Sequence, residues 1–190
     1  MYCIIALGNP TEKLAKTRHN AGWLLLDYMF PNLQYEHTKP AKAHQVKVDF
    51  AGTQVELLKP QTFMNESGIS ASYVKKKYGI ENNQFIVLHD EVDVPLGEVK
   101  ISYMRGDAGH NGIKSITAHL GGSDYYRVRI GLAQRYTEGK FIKPNVLGNF
   151  TESELEILKK MAPKVKEGLE ILMTKGYEKA ATFLNGANNA

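Results

Sequence analysis

This sequence predicts an α/β fold in three layers, a mixed twisted sheet with helices on both faces. Three observations carry that expectation. Short apolar runs alternate with segments of helical periodicity. Turn formers such as Gly8-Asn9-Pro10, Ala51-Gly52, Gly79 and Gly121-Gly122 punctuate the changes of pattern. No internal repeat, low-complexity tract or linker divides the chain, so one domain over residues 1–190 is expected, long enough to bury a substantial core.

Each element has its own reason. Residues 2–7 form an apolar run leading into the Gly-Asn-Pro turn, and read as a buried strand. From Asn20 to Phe30 the chain is mostly apolar and is stopped by Pro31, as a helix would be. Runs at about 44–50 and 53–59 flank Ala51-Gly52 and predict a hairpin. A helix follows over about 66–78, ended by Gly79. Gln84 to His89 is a short apolar strand, and Glu98 to Tyr103 alternates like a half-exposed one. The glycine-rich stretch Gly106 to Gly112 is a loop opening a helix over about 111–120, and Tyr126 to Leu132 returns as a strand. The tail from about 151 is helical, opened by a Thr151/Glu154 capping-box pattern; Pro163 is expected to divide or kink it.

Composition narrows the function classes. A net charge of +4 and a pI near 9.0 are compatible with a polyanionic partner without requiring one. The single cysteine, Cys3, leaves no intramolecular disulfide and suits a reducing compartment; within its apolar run it reads as a small core residue. No basic leader with a long apolar stretch opens the chain, and no run approaches the ~20 apolar residues of a membrane span, so a cytoplasmic protein is expected.

The chemistry-bearing residues fall in three segments at turns or element ends. His19 sits between the first strand and the first helix, where a partly solvated imidazole can act as a general base; the alternative is an exposed or capping histidine. Asp90 lies just past the apolar run Phe85-Ile86-Val87-Leu88 and can accept from an imidazole N–H, fixing its tautomer; Glu91 and Asp93 crowd the same turn and share that candidacy. Asn9, Asn65 and Asn111 stand beside turn formers or a helix start. Their amides donate and accept without adding charge, so they suit a peptide backbone or a developing oxyanion as well as a cap. His110 reads equally as a site residue or as the start of a helix. Base, orienter and neutral donors together suit water-driven cleavage of an acyl bond.

Rival chemistries lack their patterns. Gly68-Ile69-Ser70-Ala71-Ser72 fails the nucleophile-elbow spacing at its last position, and Gly106 to Gly112 is neither a phosphate-binding loop nor a dinucleotide fingerprint. No His-Glu-x-x-His or equivalent marks a metal site, and neither metal nor cofactor is expected. Lys100, Arg105, Lys114, Arg127 and Arg129, with Tyr103 and Tyr126 among them, are candidates for contact with a phosphate backbone or for a solvated basic face.

Together the segments resemble the bacterial-type peptidyl-tRNA hydrolase family. The resemblance runs through Leu7-Gly8-Asn9-Pro10 with Thr17-Arg18-His19-Asn20-Ala21-Gly22, and Lys59-Pro60 with Thr62-Phe63-Met64-Asn65 and Ser67-Gly68. It continues through His89-Asp90-Glu91 with Asp93 and Pro95-Leu96-Gly97, Gly109-His110-Asn111-Gly112, and Arg127-Val128-Arg129-Ile130-Gly131. It spans about residues 3–150 in order and spacing. It implies a monomeric, metal-free enzyme that cleaves the ester between peptide and tRNA, with His19 as the base activating water and Asp90 holding it. It further implies that Asn9 helps distinguish a blocked N-terminus, and that Asn65 and Asn111, with Phe63 and Met64 nearby, hold the peptide backbone and the tRNA end. Lys100, Arg105 and Arg129 are then the candidates for the tRNA backbone. The chain departs from the family pattern at Thr11 and Ala108, where glycine is usual, at Gln134-Arg135, where Arg-Pro is common, and at Leu14, where tyrosine is usual and contacts substrate. Leu14 can still line the site, without the hydroxyl. Two other readings stay open: a non-catalytic RNA-binding relative of the same fold, and a hydrolase of small acyl esters.

Overall fold

Buried on both faces, Tyr2–Ala6 becomes the central strand β1 of an eight-stranded mixed sheet. The computed structural model describes residues 1–135 and 141–186; the last four residues of the helical tail lie outside these. β1 pairs in parallel with β4 (Thr53–Pro60) on one side and with β5 (Phe85–Pro95) on the other. Beyond β4 the antiparallel strands β3 (Ala43–Phe50) and β2 (Glu36–Thr38) reach one edge. Beyond β5 come the parallel β7 (Tyr126–Arg135) and the antiparallel β6 (Val99–Tyr103), and the two-residue β8 (Phe141–Ile142) pairs with the end of β7.

Side-chain alternation divides the interior. Ile4 and Ala6 join one apolar cluster with α1 (Ala21–Met29), α4 (Glu152–Lys175) and α5 (Tyr177–Asn185). Cys3, Ile5 and Leu7 join the other, with α2 (Gly68–Tyr78) and α3 (Asn111–Leu120). The period of two along β1 therefore sorts its residues between the two helical layers. Burial, then the Glu56 charge, pushes the Cys3 thiol well above its usual range, which suits an inert core residue. Among the described residues, no helix is long and apolar enough to cross a membrane.

The expected hairpin forms, with Ala51 and Gly52 at positive φ, and Gly79 ends α2 in the left-handed conformation. Elsewhere the structure differs. Pro163 neither divides nor interrupts α4; the break falls at Gly176, at positive φ. Pro163 and Lys159, whose carbonyl loses its donor, are both exposed, so water can take the bond that proline cannot make. β2 and β8 were not expected, and β5 extends to Pro95.

Strand order sets the place of the site. β1 is flanked by β4 and β5; the connection from β1 to β4 carries α1 on one face and that from β4 to β5 carries α2 on the other, which opens a crevice at the carboxyl ends. The start of α1 is pressed onto those ends: a Cβ on Gly22 would lie 2.5 Å from the Leu88 carbonyl oxygen and 2.7 Å from that of Leu7. That close approach brings the turn before α1, with His19, alongside Asp90 on β5.

Candidate active site

His19 and Asp90, 71 residues apart in the chain, are in contact. Nδ1 of His19 lies 2.9 Å from Asp90 Oδ1 and 3.0 Å from Oδ2. Against a carboxylate, Nδ1 carries the proton and donates it, which leaves the lone pair on Nε2. His19 lines a cleft of about 220 Å³ together with Asp90, Glu91, Val92, Ala108, Gly109, His110, Asn111 and Val146. A backbone bond from His19 N to the Val146 carbonyl, 2.8 Å, fixes the segment. Asp90 is only 3% exposed. Burial alone would raise its pKa, but hydrogen bonds from His110 and His19 outweigh it and hold the carboxyl well below the usual range.

His110 has both of the roles left open by the sequence. Its Nδ1 accepts from the backbone N–H of Gly112 at 3.1 Å and of Ile113 at 3.4 Å, making it the N-cap of α3. Those donors require a lone pair on Nδ1, so the proton sits on Nε2 and is donated to Asp90 Oδ1, 2.9 Å away. The helix terminus thereby selects the tautomer that serves the carboxylate. His19, Asp90 and His110 bring three possible metal-ligand atoms within 4.8 Å of one another. A cation there would have to displace protons from both imidazoles, and at His110 it would also break the helix cap, so the donor set fits a carboxylate holding two imidazole N–H groups better than a metal.

Next to these, His89 is a third imidazole with a different task. It donates from Nδ1 to the Asp90 carbonyl oxygen at 2.7 Å, and its ring packs edge-on to His110 with centroids 4.9 Å apart. Burial, then the neighbouring His110 and Arg127, pushes its pKa down to about 3. A neutral, buried His89 packs behind the site, off the cleft itself, and supports the part of β5 that carries Asp90.

The other sequence candidates separate into frame and rim. Asn9 is buried and exchanges two bonds with Asn20: its N–H donates to Asn20 Oδ1 at 2.9 Å, and Asn20 Nδ2 donates back to the Asn9 carbonyl at 3.0 Å. Asn9 Oδ1 accepts from Met64 N at 3.0 Å, so its Nδ2 is the group left to offer a ligand. Met64 is buried against the start of α3, whereas Phe63 (58% exposed) and Asn65 stand at the surface. Asn111, the first residue of α3, is exposed and lines the cleft. Leu14 is half-buried, and its carbonyl accepts from the backbone N–H and hydroxyl of Thr17. Asn9, Leu14, Phe63, Met64 and Asn65 do not line the cleft itself.

The basic residues are not gathered on one open face. Arg129 pairs with buried Glu91 at 3.2 Å, and Lys100 donates to the Asn185 carbonyl at 3.0 Å. Arg127 is 1% exposed and donates to the Gly106 carbonyl at 2.7 Å. Arg105 and Lys114 face solvent. Sequence reasoning did not find Asn20 as the partner of Asn9 or Glu91 as the partner of Arg129; one pairing joins the turn after β1 to the turn before α1 and the other joins neighbouring strands β5 and β7, and both are made only in the fold.

Fold and site define an α/β protein whose histidine–carboxylate pair opens on a cleft with neutral donors, an arrangement suited to metal-independent hydrolysis. Comparison with known proteins assigns the family. The family model for peptidyl-tRNA hydrolase matches residues 3–190. A peptidyl-tRNA hydrolase of Prochlorococcus marinus is 36% identical, covering 98% of this chain and 95% of that one. One of Thermotoga maritima is 37% identical over 96% of both chains. The crystal structure of peptidyl-tRNA hydrolase from Acinetobacter baumannii superposes with a TM-score of 0.86 at 27% identity, covering all of this chain and 97% of that one. The chain belongs to the peptidyl-tRNA hydrolase family.

Proposed function

We propose that this enzyme cleaves the ester between a peptide and the terminal ribose of tRNA, with His19 as general base and Asp90 as its orienting carboxylate. The observation that carries this reading is the 2.9 Å contact between His19 Nδ1 and Asp90 on the wall of the cleft. His19 Nε2 takes a proton from water as the oxygen attacks the ester carbonyl. The carbonyl oxygen becomes an oxyanion, for which the amide of Asn111, on the cleft, is the donor we assign; Asn9, through its free Nδ2, is assigned to telling a blocked N-terminus from a free one. Collapse expels the ribose oxygen, which recovers the proton from the imidazolium; the products are a peptide carboxylic acid, ionised at neutral pH, and tRNA. A positioned base supplies roughly 10²–10⁴ in rate, and an oxyanion donor about 10²–10³. An ester needs no stronger nucleophile than activated water.

Asn65, Phe63, Met64 and Leu14 are assigned to the peptide and the tRNA end around the cleft. Arg105, together with Lys100 and Arg129 should they exchange their present partners, is assigned to the phosphate backbone. The net charge of +4 favours a polyanionic substrate. A monomer acting in the cytoplasm is part of the same reading, in keeping with the single buried cysteine.

Incubation with N-acetylated and free aminoacyl-tRNA, following tRNA release from each, tests the substrate. Release from the blocked substrate alone, inhibited by uncharged tRNA, is the expected result. Equal release from both would remove the role given to Asn9, and indifference to uncharged tRNA would favour a hydrolase of small esters.

A further inference from the structure

Glu154, near the start of α4, does more than close a capping box. A cap requires one of its oxygens, and Thr151 N donates to Oε2 at 2.7 Å. The carboxylate is nevertheless buried, 6% exposed, and collects further donors. Arg18 Nη2 reaches both oxygens, at 3.0 and 2.8 Å, and Gln134 Nε2 donates to Oε1 at 2.9 Å. Three distant parts of the chain therefore meet on one group: the turn before α1, the end of β7 and the start of α4.

The turn before α1 carries the base. Arg18 is its immediate neighbour, and its guanidinium lies 5.8 Å from the centre of the Phe150 ring. Gly148 leaves room for it, since a Cβ there would stand 2.9 Å from Arg18 Nη1. Backbone bonds reinforce the contact: Arg18 N to the Gly148 carbonyl at 3.0 Å, His19 N to Val146 at 2.8 Å, and Phe150 N to Lys16 at 2.9 Å. Val146 in turn lines the cleft. Gln134, near the end of β7, and Thr151, the N-cap of α4, thus share one carboxylate with Arg18.

We propose that Glu154 is a positioning residue for the hydrolysis, holding the His19 segment through Arg18 and tying the end of β7 and the start of α4 to it through Gln134 and Thr151. The inference rests on the reading of His19 as the base. A displacement of about 1 Å at a reacting group can cost about 10² in rate, so the effect appears in kcat, with substrate affinity largely kept.

Glu154→Gln tests it, because glutamine also completes a capping box while the charge on Arg18 loses its partner. With concentrations corrected for active enzyme, the expected result is a kcat lowered about ten- to a hundredfold and a KM within threefold of the wild type. Arg18→Met should do the same, and the double variant should be no worse than either, because both remove one contact. Gly148→Ala crowds the guanidinium with Glu154 intact, and serves if Glu154→Gln does not fold; it should lower kcat in the same sense. A kcat within twofold of the wild type in the variants that fold, or losses that multiply in the double variant, would overturn the proposal. His19→Ala, assayed in parallel, keeps the two readings apart. An inactive His19→Ala beside a normal Glu154→Gln sinks this inference alone, whereas an active His19→Ala sinks the base assignment beneath it.

Discussion

The segments carrying His19 and His110 meet at one oxygen of Asp90, but they are held there by different means. His19 lies on a short turn gripped from outside, by backbone bonds to residues 146–150 and by Arg18 on Glu154. His110 secures itself. It caps its own helix, and the loop before it closes on local bonds, with Gly109 N to Asp107 Oδ1 at 2.7 Å and His110 N to the Asp107 carbonyl at 2.9 Å. Arg127 adds a bond to Gly106 from below. That loop also tolerates strain, with Met104 and Ala108 at positive φ although neither is glycine. The contrast teaches that His19 is vulnerable to substitutions far away in sequence, while His110 answers mainly to its own loop.

Removing the meeting point should have the largest effect. Asp90→Asn keeps the shape but not the charge, leaving His19 without a partner that fixes its tautomer. The corresponding change in serine-protease triads lowers kcat about 10⁴-fold, and here a loss of at least about 10²-fold is expected in steady-state hydrolysis. A smaller loss would mean that the carboxylate is not what holds the base.

His110 comes next, and its two bonds can be separated. Alanine removes both the cap and the donation to Asp90, so His110→Ala should lose about 1 kcal/mol of stability and about tenfold in kcat. Asparagine is a good N-cap but cannot reproduce the reach of Nε2, so His110→Asn should recover the stability and not the rate. Urea unfolding alongside kinetics separates the two; recovery of both would reduce His110 to a cap.

The wall behind the pair gives the smallest and most diffuse effect. His89 is neutral when folded, with a pKa near 3, and returns to about 6.5 when unfolded. Below pH 6.5 the unfolded chain therefore binds a proton that the folded chain refuses. Stability falls as pH drops from about 6.5 toward 3, with a limiting slope near 1.4 kcal/mol per pH unit. Asp90, whose pKa is depressed, adds to the loss only below about pH 4. Urea unfolding at pH 7 and pH 5 should show the wild type losing stability on acidification, and His89→Gln losing less. Equal losses would show that His89 is not the group responsible.

Much of this was legible before folding, for reasons that differ by element. β1 and β5 were plain because they are buried on both faces, and a buried strand reads as an unbroken apolar run. Glu36-His37-Thr38 has neither an apolar run nor apolar alternation, and β2 exists because β3 offers it an edge. Pro163 misleads because a proline's cost depends on whether its orphaned carbonyl meets water, which sequence does not state. In the site, His19 and Asp90 stand out because a histidine just before the first helix and an acid just past the apolar run Phe85-Ile86-Val87-Leu88 are legible locally, although Asp90 lies within β5 rather than beyond it. The bond from His110 to Asp90, the Asn9–Asn20 exchange and the convergence on Glu154 involve partners 20, 11 and 136 residues apart, and no local pattern encodes such pairings.

The assignment of His19 as base is tested most directly by single-turnover hydrolysis of N-acetyl-aminoacyl-tRNA with excess enzyme, comparing the wild type with His19→Ala. The account predicts cleavage slowed by about 10²–10⁴, with tRNA binding, measured on the same samples, within a few fold of the wild type. Cleavage at near wild-type rate, with binding intact, would contradict it.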